Sequence, residues 1–210
     1  MSKKMIDEIV EKVLKVIAKQ TATIRVEASG RHVHLSKEDA MVLFGTTEMT
    51  IQRELSQPGQ YLYKEKVMLI GTKGVLNDVS ILGPCRGKTQ VELSVTDALV
   101  LGIKPVVKDS GNLEGASDVL ISANGKVIEA LSSAIISRRH LHMTPEDATH
   151  YCVKDGDIVA VRVYGTRLTT FEEVLVRVNA NYSLRLHLDY DEANAVGFTK
   201  ETLGEIVKIV

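Results

Sequence analysis

The hydrophobic period of the chain changes near residue 20. Ahead of that point Met5, Ile6, Ile9, Val10, Val13, Leu14, Val16 and Ile17 recur at helical spacing, with Lys3, Lys4, Asp7, Glu8, Glu11, Lys12 and Lys15 on the other face. This predicts an amphipathic helix over residues 1–19, either a surface helix packed on its own domain or a docking helix for another protein. From Thr21 the period drops to two. Residues 21–29 read as a strand, Gly30 bends the chain, and a short helix runs to Phe44, where Gly45 stops it. Residues 46–66 read as irregular and polar, with a turn at Ser56-Gln57-Pro58-Gly59. Short β-rich runs follow at 67–70, 75–82 and 89–95, and Thr96-Asp97 reads as the cap of a short helix ending at Gly102. Runs at 118–121 and 126–130 flank Ala123-Asn124-Gly125, a hairpin signal. Further runs lie at 158–164, 168–178 and 183–189; in the last, Leu184, Leu186 and Leu188 alternate with Arg185, His187 and Asp189. Many short strands at even turn spacing predict a barrel or sandwich rather than βαβ units.

One stretch occurs twice. Arg31-His32-Val33-His34-Leu35-Ser36-Lys37-Glu38-Asp39-Ala40 returns as Arg139-His140-Leu141-His142-Met143-Thr144-Pro145-Glu146-Asp147-Ala148. In a strand, residues i and i+2 share a face, so each pair of histidines can present two imidazoles to one ion. Neutral imidazole is the commonest protein ligand for zinc-like ions. Ser36 or Thr144, followed three residues on by Asp39 or Asp147, marks a helix start, and Pro145 suits the first helical position. Four of the six histidines sit in these pairs, a concentration that favours ligands over two ordinary polar strand faces. His187 has Asp189 at i+2, a carboxylate placed to fix the tautomer of a ligating imidazole; the alternative is a solvent-facing histidine. Glu92 points away from Val91 and Leu93 and is either solvated or a ligand. The tight basic turn Gly83-Pro84-Cys85-Arg86-Gly87-Lys88 either holds an anion with the Arg86 fork and backbone N–H groups or is an ordinary connection.

Composition narrows the setting. With 210 residues and a duplicated motif, two domains of about 100 residues each are expected. At 44% hydrophobic residues there is material for packed cores and no signature of disorder. A net charge of −1 argues against a nucleic-acid footprint, and 4% aromatics without tryptophan against a base-stacking platform. Cys85 and Cys152 form neither a disulfide framework nor a Cys-x-x-Cys site, so reduced thiols in a cytosolic compartment are expected. No apolar run reaches the roughly 18 residues that span a bilayer, and the first residues lack a secretory-signal pattern. The expectation is a soluble, intracellular protein.

The two Arg-His-x-His stretches, Gly83-Pro84-x-Arg86 with Thr89-Gln90-Val91-Glu92, and His187-x-Asp189 with Asp191-Glu192-Ala193-Asn194-Ala195 together resemble the PduL-type phosphotransacylases, the phosphate propanoyltransferase family. The resemblance covers residues 21–200. It implies a mainly β fold of two small β-barrel domains capped by short α-helices, usually dimeric, with two zinc ions between the barrels. One barrel would combine residues 20–29 with 138–210, and the other would hold 30–137 with an irregular insert near 44–66. Carried over by motif, His32, His34 and Glu92 would hold one zinc, whose open position meets the coenzyme A sulfur. His140, His142 and His187 would hold the second, completed by water. Arg86 would bind phosphate, and Ser29, Arg53 and Asn194 would contact coenzyme A. Cys85 reads as packing, a thiol nucleophile beside Arg86 being the alternative.

The implied reaction moves a propionyl or acetyl group reversibly between coenzyme A and inorganic phosphate. The alternative is a zinc-dependent thioester hydrolase using the same ions to activate water. A purely structural metal protein is disfavoured by the open coordination positions expected of such ligand sets. Residues 1–19 resemble the encapsulation peptides that recruit family members into bacterial microcompartments. The implied location is the cytoplasm or such a compartment, in propanediol degradation, with shell or core proteins as partners.

Overall fold

The alternating runs beyond residue 20 fold as strands that close on themselves twice. The computed structural model describes residues 24–209 together with Ile6 and Val10; apart from those two positions, the helix expected over 1–19 lies outside the described residues. In chain order the elements are β1 (Ile24–Ala28), β2 (His32–His34), α1 (Lys37–Phe44), β3 (Ile51–Glu54), β4 (Tyr61–Ile70), β5 (Val75–Gly83), β6 (Gln90–Leu93), α2 (Val95–Leu101), β7 (Val107–Lys108), β8 (Ser117–Ala123) and β9 (Lys126–Ser137). They continue with β10 (His140–Met143), α3 (Pro145–His150), β11 (Ile158–Tyr164), β12 (Thr169–Val178), β13 (Arg185–Leu188), α4 (Tyr190–Val196) and β14 (Leu203–Ile209).

One barrel closes in the order β1-β13-β10-β12-β11-β14. The other closes as β2-β5-β4-β8-β9-β6, because β8 pairs with both β4 and β9; β3 and β7 extend from β4 and β9. The fold is therefore mainly β, two barrels with short helices, and the sandwich alternative falls away. Inward positions fill each ring: Ile24, Leu141, Met143, Val161, Val176 and Leu186 in the first, Val33, Leu69, Ile81, Val91 and Ile121 in the second, all fully buried. Burying each such side chain is worth about 1.5–3 kcal/mol relative to exposure.

The two barrels are copies of one plan. The histidine strand β10 runs parallel to β12 and antiparallel to β13, as β2 does to β5 and β6. Around the ring, β11, β14 and β1 then correspond to β4, β8 and β9. The slot that β9 fills in its barrel is filled in the other by β1, from the far end of the chain. Each histidine pair follows directly on a crossing from one barrel to the other, β1 into β2 and β9 into β10. Because Val33 and Leu141 point into their cores, the flanking histidines point out, toward the junction.

Helix ends follow the expected chemistry with one shift. Ser36 Oγ accepts from Asp39 N at 3.0 Å, and Thr144 and Asp147 reciprocate in a full capping box. The cap of α2 is Ser94 rather than Thr96-Asp97; Asp97 is instead the third helical residue, whose carboxylate returns to the Ser94 N–H. Asn124 and Gly125 both take positive φ and turn β8 into β9. Residues 46–66 are more regular than their pattern suggests, since they include the β3–β4 hairpin. All four β3 residues are exposed, so no buried face imposes the alternation that would have marked a strand.

Candidate metal and anion site between the barrels

Antiparallel pairing of β2 and β6 sets His32 opposite Glu92, and His34 follows on the same face. His32 Nδ1 donates to the Gly30 carbonyl at 2.8 Å, which leaves Nε2 facing Glu92 Oε2 at 3.6 Å. His34 Nδ1 is buried without a partner. Glu92 Oε1 accepts from Gln90 Nε2 at 2.6 Å and from Ser110 Oγ at 2.7 Å. Gln90 is anchored in turn by the Gly111 N–H, 2.9 Å from its Oε1. One carboxylate oxygen is thus committed to its supports and the other faces the imidazoles.

The second cluster repeats this geometry in the other barrel. His140 stands opposite His187 in register, so Glu92 and His187 occupy equivalent slots. His140 Nδ1 donates to the Arg138 carbonyl at 2.8 Å, matching His32 and Gly30. The three rings are 4.6, 4.9 and 4.8 Å apart between centroids. The His142 ring stacks on Tyr182 at 4.1 Å, and neither of its nitrogens has a partner. In each triad the candidate ligand atoms lie within 4.8 Å of one another.

Electrostatics tune these groups as ligands. Burial, reinforced by neighbouring positive charge, pushes the pKa values of His34 and His187 well below their ordinary 6.5; those of His140 and His142 also fall, the latter to about 3. They are neutral at pH 7, the form that coordinates. Burial works to raise the Glu92 carboxyl, but His32, His34 and the Ser110 hydrogen bond outweigh it and hold it down at about 2. Unpartnered imidazole nitrogens gathered with an anionic oxygen are otherwise costly in a buried site. A nitrogen and oxygen donor set of this kind fits a zinc-like divalent ion in each triad.

Arg86 reaches the same place by a different route. Its backbone N–H donates to the Leu35 carbonyl at 2.8 Å, and it bridges Ser36, which ties its loop to the end of β2. The guanidinium is half-buried, and burial lowers its pKa. Arg86, both triads, Ser29, Arg53 and Asn194 all line one cavity of about 1110 Å³ between the barrels.

Asp189 does not take its expected position beside His187. Strand β13 ends at Leu188, and Asp189 caps α4, its Oδ1 accepting from Glu192 N at 2.9 Å. The carboxylate that meets His187 is Glu27 on β1, with Oε2 4.0 Å from Nδ1. Gln57, on the turn between β3 and β4, also approaches His187 at 3.5 Å and clamps Ser183 through its backbone N–H and carbonyl, each at 3.0 Å. The Cys85 thiol packs against its barrel core, and burial raises its pKa, so it reads as packing. Gln90, Ser110, Glu27, Gln57, Tyr182 and Arg177 join the site in the fold without being marked as site residues by their sequence. Only Gln90, at i−2 from Glu92 and hence on its face, carried a local signal.

A family model described as phosphate propanoyltransferase matches residues 25–199. A phosphate propanoyltransferase of Sebaldella termitidis is 48% identical to this chain over 199 residues, 94% of each. One from Clostridioides difficile is 47% identical over 205 residues, 97% of this chain and 98% of the relative. One from Thermotoga maritima is 46% identical over 203 residues, 96% and 95%.

Proposed function

The chain belongs to the phosphate propanoyltransferase family, and we propose that, as a phosphate acyltransferase, it moves a propionyl or acetyl group between coenzyme A and inorganic phosphate at a site for two zinc ions. One observation carries the reading: a half-buried guanidinium, Arg86, opens on the same cavity as two clusters of candidate metal ligands. A hydrolase delivering water to a thioester has no use for such an anion holder.

In the transfer, a phosphate oxygen forms a bond to the thioester carbonyl carbon as the C–S bond breaks. The electron pair leaves with sulfur, and the thiolate takes up the proton that hydrogen phosphate gives away. Arg86 presents a planar fork that binds two phosphate oxygens and aims a third at the carbonyl. Ser29, Arg53 and Asn194 provide the wall along which coenzyme A would lie. When bound by His32, His34 and Glu92 and by His140, His142 and His187, zinc would supply Lewis acidity for the carbonyl oxygen and a soft partner for the departing sulfur. Gln90 and Ser110 keep Glu92 aimed inward, and the Gly30 and Arg138 carbonyls fix the tautomers of His32 and His140. The Cys85 thiol packs against the barrel core, with its pKa raised, and does not line the cavity, which supports direct attack without an acyl-enzyme.

The test is coenzyme A release from propionyl-coenzyme A by zinc-replete protein, with and without inorganic phosphate, in wild type and Arg86→Ala. Strict phosphate dependence, abolished by the substitution, is expected. Release indifferent to both phosphate and Arg86 would make water the acceptor and the protein a thioester hydrolase.

A further inference from the structure

We propose that Arg177 is a second anion-binding residue of this cavity and forms, with Arg86, a clamp in which each barrel contributes one guanidinium to the phosphate and, in reverse, to the acyl phosphate. The inference rests on the phosphate acyltransferase reading and extends it to a residue outside the expected site.

Placement comes first. Parallel pairing of β10 and β12 sets Arg177 directly beside His142, just as Leu141 pairs with Val176. Val176 and Leu141 fill the core, so Arg177 leaves the barrel on the face that carries the histidines, and it lines the same cavity as Arg86. The duplicated plan does not call for an arginine there. His32 pairs with Ser80 and Val33 with Ile81 in the other barrel, so the residue equivalent to Arg177 is Leu82. The guanidinium belongs to one copy only, as a residue serving the shared cleft would.

Charge gives the second argument. Arg31, Arg138, Arg139, Arg162 and Arg185 each pair with a carboxylate. Among the described residues, neither the Arg86 nor the Arg177 guanidinium has an ion pair or hydrogen bond. The positive charge of Arg177 acts on Arg86 and on His140 and His142, which places it near both the other guanidinium and the second triad. The carboxylate that Arg86 senses, Glu92, has one oxygen committed to Gln90 and Ser110 and the other facing His32. Two like charges therefore share a half-buried cavity, and neither is directly paired with a carboxylate. A dianion bridging them removes the repulsion, and phosphate has acceptors enough for two forks. The thioester carbonyl is neutral and asks for no such clamp, so the occupant is the phosphoryl group.

Steady-state kinetics of zinc-loaded wild type, Arg177→Ala and Arg177→Lys decide it. For Arg177→Ala, loss of one or two charge-assisted hydrogen bonds should raise KM for phosphate about 10- to 100-fold and leave KM for propionyl-coenzyme A within about twofold. Added guanidinium ion should restore part of the lost rate in Arg177→Ala and none in wild type, a response that a structural role would not give. Should Arg177→Ala fail to fold or to retain zinc, Arg177→Lys carries the test, since it keeps the charge and loses the fork; its KM for phosphate should rise by a smaller factor. An unchanged KM for phosphate, an equal rise for both substrates, or a rise confined to propionyl-coenzyme A would overturn the clamp, the last by assigning Arg177 to the phosphates of the coenzyme. Wild-type turnover without phosphate would instead sink the underlying reading, so the two failures are distinguishable.

Discussion

Ser110→Ala tests the support of Glu92 without touching any ligand. The substitution deletes the 2.7 Å hydrogen bond to Glu92 Oε1 and the acceptor of the 3.0 Å contact from Gln90 Nε2. Gln90 still donates to Oε1 at 2.6 Å and stays anchored by Gly111, so one of two supports survives. Partners that orient a ligating group are typically worth about 10- to 100-fold in metal affinity. With half the support retained, the lower end applies, about tenfold or ~1.4 kcal/mol. Competition between the protein and a chelating dye should show two zinc steps in wild type, with only the tighter or weaker one shifting in Ser110→Ala. Glu92→Gln identifies that step, because it should weaken the same one more severely. Two unchanged steps would refute the support argument, and an equal shift of both would point to general loosening of the fold.

Three further outcomes are expected. Leu141 is fully buried at the heart of its barrel and lies between two candidate ligands, so Leu141→Ala should cost about 2–5 kcal/mol in urea unfolding; a loss below about 1 kcal/mol would contradict the packing. His142→Ala should leave the barrel folded while lowering bound zinc from two per chain to one, as read by metal analysis after dialysis; retention of both would remove His142 from the ligand set. The metal-free protein should lose stability as pH falls. His34, His140, His142 and His187 take up protons below their ordinary 6.5 only when unfolded, so acidification through that value favours the unfolded chain, by up to about 1.4 kcal/mol per pH unit for each histidine. Glu92, held at about 2 against an ordinary 4.5, adds to the loss below pH 4.5. Denaturation midpoints that stay flat or rise between pH 7 and 5 would contradict the burial of these rings.

The repeated histidine stretches were legible because the chemistry sits at i and i+2, a spacing that survives whatever the strand pairs with. Closure into barrels was not legible from alternation, which reports one buried face and not what the edges do; the resemblance supplied it. Asp189 shows the limit of local reading. The alternation through residues 183–189 pointed its carboxylate at His187, but the strand stops one residue earlier and the side chain turns to cap a helix. The carboxylate beside His187 comes from Glu27, its register partner on β1, and no local pattern announces a parallel partner so distant. Ser110 reaches Glu92 from the loop after β7, and Arg177 acquires its meaning from its pairing with His142. Both depend on tertiary geometry alone.

The exchange of first strands between the copies sets a timetable for synthesis. β1 is the first described strand to leave the ribosome, yet Arg25 pairs with Arg185, 185 − 25 = 160 residues later. At translation rates of about 5–20 residues per second, Ile24 and Val26 wait roughly 10–30 s for the strand that buries them. The other ring is complete once Ser137 has been made, so the His32, His34 and Glu92 set is assembled while the second set is still being translated. On the two-ion reading, loading of the two sites would thereby be ordered in time: one triad stands complete before the strands that carry the other have been made.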